Sequence, residues 1–326
     1  MMKPQAQGAL LAGIACFLVG GSFTVNSVLG DYPYATGQAL RYGGACLLLL
    51  PLLGRGGLAP LKRLAPRQWL RLALLAAVGM AGFNFAVLAA ERTAEPAVPG
   101  VVVGCAPILV AVLGPLLAGR RPTRAVLGGA LLVAMGALIV QGLGRTDLAG
   151  MIYSVLALLG ETGFALIAVP LIRPLGPKLL STAATGLAAL ESMAAGLVHG
   201  GTGVLQLPNG GEALALAWQT VIVTVIGFVC WYSGIQRIGA ERATLFSGLI
   251  PVSAAMTAPL VGTGGYGLPQ AAGSLLVGLG VAIGSGLLAG QRRTSSAEMA
   301  ECPQTRSTQQ TKQPMTPPPS RSTVRS

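Results

Sequence analysis

The chain has 326 residues, of which 52% are hydrophobic and 10% are charged, and its formal net charge is +12. A soluble domain carries about 25% charged residues, so this composition, with a mean hydropathy of +0.68, excludes a water-soluble globule. The apolar runs are continuous over roughly twenty residues, which is the length of a spanning helix, and they lack the alternation of membrane-barrel strands. We therefore predict an all-α integral membrane protein.

Ten membrane-spanning helices are predicted, with Gly, Pro or charged residues at nearly every junction. Their ranges in chain order are 8–28, 34–53, 69–90, 96–118, 124–142, 149–170, 178–199, 213–234, 240–261 and 267–290. The first run is too long for the core of a signal peptide, so we expect it to stay as a helix. Residues 291–326 are rich in Ser, Thr, Gln and Pro, and we predict a disordered tail there.

Cysteine spacing and catalytic motifs give no indication of a metal site, a disulfide framework or an enzyme. Cys16, Cys46, Cys105 and Cys230 lie inside apolar runs without paired spacing, and we interpret them as packing residues. The sequence contains no P-loop, no zinc-protease motif and no nucleophile elbow. We expect no metal, no other cofactor and no catalytic residues.

Basic residues in the loops predict the orientation of the chain. Lys and Arg concentrate on one side, at Lys3, Arg55, Lys62, Arg63, Arg67, Arg71, Arg120, Arg121, Arg124, Arg173, Lys178, Arg237, Arg242, Arg292 and Arg293. The other side holds mainly acidic residues, with Arg92 and Arg145 as its basic ones. Both termini are therefore expected in the cytoplasm, and the localisation expected is multi-pass in the inner (plasma) membrane.

One stretch of the chain occurs twice. A shift of 144 positions places 104–142 on 248–286 without a gap, so that Pro107 meets Pro251 and Gly129 meets Gly273. Prolines and glycines carry much of the match, which indicates shared backbone shape rather than shared chemistry. We interpret the match as an internal duplication with repeats at 8–142 and 149–290.

The duplicated unit contains five predicted helices. Because five is odd, the two copies must cross the membrane in opposite senses. Inverted repeats are typical of secondary transporters, whose substrate site lies near the midplane where the repeats meet. The sequence thus favours a transporter architecture.

Several residues also resemble a known family. Leu40-Arg41-Tyr42 in the second span, Pro107 followed by Leu116-Leu117-Ala118-Gly119 in the fourth, and the Gly-rich fifth span are similar to the EamA-type branch of the drug/metabolite transporter superfamily. The resemblance covers roughly residues 8–290. Two features depart from the family pattern: Gly20-Gly21-Ser22-Phe23 lacks the usual Trp, and Arg120 stands where a Glu often follows the fourth span. The resemblance implies export or exchange of small metabolites or drugs without ATP hydrolysis.

Three charged residues lie within the predicted spans: Arg41, Glu161 and Glu191. Each costs about 2.5–3.5 kcal/mol at a helix centre, so each needs a partner or water. Arg41 can hold a substrate carboxylate or phosphate, or it can pair with a Glu or reach the outer interface. Glu161 and Glu191 are proton-coupling candidates, because burial disfavours the charged form of a carboxyl group. Glu161 is the better candidate since it lies nearer the midplane.

Uncharged polar residues and prolines complete the candidate set. Pore lining by polar side chains competes with helix-to-helix hydrogen bonding, and we include as substrate-binding candidates Asn26, Gln38, Asn84 and Tyr232. Pro107 and Pro251 lie about mid-span, where they predict either static kinks or gating points. Trp231 and Tyr232 are predicted to anchor the cytoplasmic interface.

Together these features predict a proton-coupled exporter of small metabolites, such as amino acids, that works by alternating access. A broad-range drug or cation exporter is the first alternative, because carboxylates outnumber cations within the spans. A membrane-embedded enzyme or lipid-handling protein is the second alternative, and a non-transporting membrane scaffold is the third. The expected partners are a small-molecule solute, the lipid bilayer and, as one option, a second copy in a homodimer, but not nucleic acid.

Overall fold

The computed structural model of the chain describes residues 3–22, 27–29, 32–201, 205–261 and 265–286. Within these ranges the secondary structure is helical, and the extended pairing is confined to an isolated bridge between Ala94 and Thr146. The predicted tail at 291–326 and the candidate Asn26 lie outside the described residues.

The described residues of the first half of the chain form seven α-helices. They are α1 (Pro4–Gly21), α2 (Tyr34–Leu49), α3 (Pro66–Ala76), α4 (Phe83–Glu91), α5 (Ala97–Val103), α6 (Ala106–Leu117) and α7 (Arg124–Gln141). A π-helical turn, Ala77–Gly82, joins α3 to α4. Short 3-10 turns lie at Ser27–Leu29, Leu50–Leu53 and Ala59–Arg63.

The second half begins with the long helix α8 (Leu148–Gly200). It continues with α9 (Gly210–Trp218), α10 (Gly227–Ile238), α11 (Ala240–Ala243), α12 (Leu249–Thr257) and α13 (Leu268–Gly284). A π-helical turn, Gln219–Ile226, joins α9 to α10. Turns of 3-10 type lie at Thr244–Gly248 and Ala258–Val261.

The start and the middle of α8 follow from local chemistry. The Asp147 side chain caps the helix by accepting a 2.7 Å hydrogen bond from the backbone N–H of Gly150. Gly176 interrupts it with φ +70° and ψ 163°, a conformation that residues with a Cβ avoid. The sixth and seventh predicted spans are therefore the two arms of α8, and they meet at Gly176.

Each of the ten predicted spans overlaps a helical segment. Six helices among the described residues are long and apolar enough to cross a membrane, and α13 is a shorter apolar helix. The ninth predicted span is broken into α11, a 3-10 turn, α12 and a second 3-10 turn, so it does not count among the six. Leucine and other large apolar side chains cover much of the outer surface, as expected where lipid replaces water.

Pro107 and Pro251 follow breaks in their helices. α5 ends at Val103 and α6 begins at Ala106, so Pro107 occupies the first turn of a new helix, where a missing N–H costs little. Pro251 lies in the first turn of α12, directly after the 3-10 turn Thr244–Gly248. Each proline thus sits at an interruption rather than inside a continuous helix.

Helices α7 and α13 pack closely through glycine. A Cβ built on Gly129 would meet the carbonyl oxygen of Gly280 at 2.6 Å, and the reverse contact has the same distance. Gly136 and Gly273 face each other in the same way at 2.7 Å. Because 129 faces 280 and 136 faces 273, the helices are antiparallel, and any side chain at these positions would push them apart.

Candidate functional site

A cavity of about 530 Å³ lies between α1, α2, α4, α8, α10 and α12. Its wall includes residues from both predicted repeats. Four of the charged and polar candidates from the sequence line it, namely Gln38, Arg41, Asn84 and Glu161. Tertiary packing therefore brings these side chains to one cavity. The most distant in sequence, Gln38 and Glu161, are 123 positions apart.

The cavity has a polar mouth and an aromatic floor. Its lining reaches the exposed Glu91 and Arg92 at the end of α4. The cavity is also lined by the buried residues Phe164 and Trp231, which are 9% and 5% exposed and which we call its floor. Beyond this floor the cluster of buried apolar residues continues through Leu171, Ile172, Leu175, Leu179 and Leu180. The mouth faces the side that the loop charges predict to be outside.

Arg41 is held by one hydrogen bond to a neighbouring helix. Its Nε donates to Thr224 Oγ1 at 2.8 Å, and its guanidinium carbon lies 5.3 Å from the centre of the Tyr42 ring. In the described part of the chain no carboxylate lies within 4.0 Å of Arg41. The pairing of Arg41 with a Glu that the sequence allowed is therefore not formed among these residues.

Asn84 lines the cavity, but its side-chain N–H groups are bonded to other protein groups. Its Nδ2 donates to Tyr42 OH at 2.8 Å and to the Met80 carbonyl at 2.7 Å. Tyr34 OH donates to the Asn84 carbonyl at 3.1 Å and approaches its Oδ1 at 3.3 Å. Both amide hydrogens thus have protein acceptors, which favours the helix-to-helix interpretation of Asn84.

Glu161 lies thirteen residues into α8, about 20 Å from the start of that helix at a rise of 1.5 Å per residue. Within the described ranges no side chain donates a hydrogen bond to its carboxylate and no cation lies within 4.0 Å. The group faces the cavity instead. A carboxyl group in such a place is stabilised either by a proton or by a cationic solute group.

Two further cavity residues carry polar atoms without a partner among the described residues. Gln38 Oε1 is a buried acceptor, and Trp231 Nε1 is a buried donor. Buried polar atoms are normally satisfied, so these two atoms are exceptions among the residues that line the cavity. The sequence identified Gln38 by its polarity but gave Trp231 only an interfacial role.

Aromatic residues form the floor. Phe164 lies 5.1 Å from Phe228, 5.5 Å from Tyr232 and 6.4 Å from Trp231 between ring centres. Trp231 and Tyr232 are 5% and 0% exposed, so the prediction that they anchor a membrane interface is wrong. Trp231 lines the cavity, whereas Tyr232 packs behind it, because adjacent helix positions point in directions about 100° apart.

The remaining candidates lie elsewhere. Glu191 is on the second arm of α8, outside the cavity, and its Oε2 is buried without a partner among the described residues. Pro107 and Pro251 do not line the cavity, although Ile250, next to Pro251, does. No group of three or more His, Cys, Asp or Glu side chains that could hold a metal is present in the described ranges.

Two carboxylates on the acidic side lie outside the predicted spans. A 2.9 Å hydrogen bond from Arg145 Nε lowers the pKa of Glu95 from its ordinary value. The backbone N–H of Gly150 lowers the pKa of Asp147 in the same way. Both groups are therefore ionised at neutral pH, and neither lines the cavity.

Comparison with protein families indicates the kind of molecule that this cavity belongs to. Residues 6–141, which contain α1 to α7, match the model described as the EamA-like transporter family. Over these residues the chain is similar to EamA-type transporters. Together with the long apolar helices, this similarity supports a multi-pass membrane transporter, which moves a small-molecule solute across a lipid bilayer.

Two similar proteins come from Bacillus subtilis (strain 168). The one named uncharacterized transporter YyaM is 24% identical over 288 residues, covering 86% of this chain and 93% of the relative. The one named uncharacterized transporter YetK is 23% identical over 272 residues, covering 80% and 81%. Among solved structures, one described as the crystal structure of a protein has a TM-score of 0.75 at 21% identity over 86% of this chain and 98% of that one. At that identity the likeness shows the fold alone.

Proposed function

We propose that this protein is an EamA-type transporter and that it exports a small zwitterionic metabolite, an amino acid or a related solute, in exchange for protons. The observation that carries the proposal is one cavity lined by a guanidinium and a carboxylate, Arg41 and Glu161, with largely apolar walls between them. A zwitterion satisfies both charges at once. An anion or a cation alone leaves one charge without a partner, which is costly in a water-poor site.

The two poles of the cavity suit the two ends of such a solute. Arg41 binds a carboxylate through its planar fork of donors, and Trp231 Nε1 adds a neutral donor. Glu161 accepts from an ammonium group, as does Gln38 Oε1. The aromatic floor provides apolar contact for a side chain, so the cavity favours solutes with an apolar substituent.

Proton exchange is assigned to Glu161. When the solute has left, the carboxylate lacks a cationic partner, so taking up a proton removes an unpaired charge from the cavity. When the ammonium group of the solute arrives, the proton leaves. Solute and proton thus compete for one group, which couples their movements in opposite directions.

The proposed mechanism is alternating access. In this proposal the ten spans form an inverted duplication in the inner membrane, and both termini lie in the cytoplasm. Three matched features support the duplication. The shift of 144 carries the π-helical turn Ala77–Gly82 onto 221–226, inside the turn Gln219–Ile226. It also carries the helix break at Gly104 onto that at Gly248, where Pro107 and Pro251 are assigned as flexing points. Finally, the shift pairs Gly129 with Gly273 and Gly136 with Gly280. The contact between Gly129 and Gly280 therefore corresponds to the contact between Gly273 and Gly136.

Export of a broad range of organic cations is a second candidate. A carboxylate beside Phe164, Phe228 and Trp231 has the composition of a site for an organic cation, which aromatic faces attract. This candidate gives Arg41 no contact with the solute. Replacing Arg41 therefore separates the two: R41A abolishes transport of a zwitterion, whereas it leaves or improves transport of a cation.

A comparison of metabolites in the medium of overexpressing and deletion cells tests the function and its direction. We expect one or a few amino acids or related zwitterions to accumulate outside the overexpressing cells and not outside cells that express R41A at the same level. Accumulation of organic cations, equal for wild type and R41A, would instead establish the second candidate. Unchanged media in every strain would contradict export altogether.

A further inference from the structure

Thr224 lies where the second π-helical turn meets Arg41. Its side chain is fully buried, and its Oγ1 accepts the 2.8 Å hydrogen bond from Arg41 Nε. The same hydroxyl donates to the carbonyl of Gln219 at 3.0 Å. Both functions of the hydroxyl, as donor and as acceptor, are therefore in use, and neither is directed at the cavity.

The π-helical turn sets the direction of this hydroxyl. Several other buried hydroxyls in the described residues donate to the carbonyl four residues earlier, for example Ser154 to Gly150 and Thr244 to Ala240. Thr224 donates to the carbonyl five residues earlier, which is the spacing of a π-helix. Since the proton is directed along the helix, the lone pairs of Oγ1 face sideways, toward Arg41.

The contact uses Nε of Arg41 and leaves the two terminal nitrogens of the guanidinium available. A guanidinium is planar, so fixing Nε fixes the plane and the direction of the two terminal nitrogens. Those nitrogens make no hydrogen bond to any residue that the structure describes, and Arg41 lines the cavity. Two parallel donors in a fixed plane match the two oxygens of a carboxylate.

The first repeat lacks the equivalent device. The position that corresponds to Thr224 is Met80, on the turn Ala77–Gly82, and its carbonyl accepts from Asn84 instead. Only the second of the two matched turns carries a hydroxyl at this position. The duplication thus provides the same backbone twice, and one copy uses it to orient a charged group.

We propose that Thr224 is a positioning residue that orients Arg41 for the acidic group of the solute and so sets the preference of the transporter for carboxylates. The proposal rests on the function proposed above, in which Arg41 binds that group. Thr224 itself does not touch the solute. Its loss frees the guanidinium to rotate, which weakens binding of a carboxylate and leaves binding of an analogue without the carboxylate unchanged.

The variants T224V and T224S separate hydrogen bonding from shape. Valine keeps the branched shape of threonine and removes the hydroxyl, whereas serine keeps the hydroxyl. R41K serves as the reference for loss of the fork. Binding of radiolabelled L-leucine and of L-leucinamide, which lacks the carboxylate, is measured for the purified full-length proteins.

We expect T224V to weaken L-leucine binding about tenfold, because only this variant loses a hydrogen bond to a charged group. T224S should bind L-leucine within about threefold of wild type. L-leucinamide should bind equally to wild type, T224V and T224S. Equal L-leucine affinity in T224V and wild type would overturn the proposal, as would equal losses for both ligands or in both variants. Unchanged affinity in R41K would instead overturn the assigned role of Arg41.

A second measurement needs no ligand and distinguishes the two failures. In protein labelled with ¹⁵N-arginine, the Nε–H signal of Arg41 is assigned by its absence from R41K. We expect its hydrogen exchange to be slow in wild type and T224S and about tenfold faster in T224V. Equal exchange rates in wild type and T224V would overturn the Thr224 proposal even where the function stands. A faster rate in T224V without L-leucine binding to the wild type would support the contact and overturn the amino-acid assignment.

Discussion

The glycine contact between α7 and α13 offers a prediction with a built-in control. Gly128 and Gly129 are neighbours in α7, but a Cβ on Gly128 would meet nothing within 4 Å, whereas one on Gly129 would meet three backbone atoms between 2.6 and 2.9 Å. G128A and G129A therefore add the same methyl group to the same helix. They differ in whether the partner helix must move.

The expected cost follows from these distances. Ordinary contact begins at 3.4 Å, so the Gly280 carbonyl oxygen at 2.6 Å must retreat by about 0.8 Å from a new Cβ on Gly129. Overpacking of this kind costs about 1–3 kcal/mol. The gain in helix propensity from Gly to Ala, about 0.5–1 kcal/mol, applies to both variants and cancels in their difference. We expect G129A to be less stable than G128A by about 1–3 kcal/mol.

Thermal denaturation of both variants in the same detergent measures this difference. At about 2–4 °C per kcal/mol, the midpoint of G129A should lie roughly 2–12 °C below that of G128A. The proposed duplication adds a second pair: G273A should resemble G129A, and G278A, where a Cβ also meets nothing within 4 Å, should resemble G128A. Equal midpoints for G128A and G129A would refute the close packing of α7 on α13.

Three further outcomes are expected. G176A should destabilise the protein by about 1–3 kcal/mol, measured by thermal denaturation, because alanine avoids the φ of +70° that joins the arms of α8; an unchanged midpoint would contradict that conformation. Asp147 has a lowered pKa, so it contributes stability above the ordinary Asp range near pH 3.9 and loses it as pH falls through the folded-state value. D147N should therefore reduce the loss of thermal stability between pH 6 and pH 3, and an unchanged pH profile would count against the cap. In a cysteine-free background, an impermeant maleimide added to intact cells should label L88C in the cavity but not L58C on the predicted cytoplasmic side, and the reverse result would invert the orientation.

Helix positions follow closely from the sequence because lipid imposes a simple rule. Backbone groups in hydrocarbon must bond within their own segment, so long apolar runs become helices. The predicted second span, 34–53, covers α2 and the 3-10 turn after it, and the predicted fifth, 124–142, ends one residue beyond α7. The π-helical turns were not predicted, since nothing in hydropathy distinguishes a π-helix from an α-helix.

The candidate site was predictable by residue type and not by arrangement. Arg41 and Glu161 stand out because charge is rare in apolar runs, and this rule needs no tertiary information. Whether both amide hydrogens of Asn84 are bonded depends on Tyr42, which only packing brings within reach. Trp231 was assigned to the wrong surface because burial by protein and burial by lipid leave the same pattern in a sequence.

Matched carboxyl variants test whether Glu161 exchanges a proton for the solute. Purified wild type, E161Q and E191Q are reconstituted into vesicles, and solute accumulation is measured with and without a pH gradient. We predict that E161Q still exchanges labelled for unlabelled solute but no longer accumulates it against a gradient, while E191Q, altered outside the cavity, behaves as wild type. Proton-driven accumulation by E161Q at the wild-type level would contradict the account.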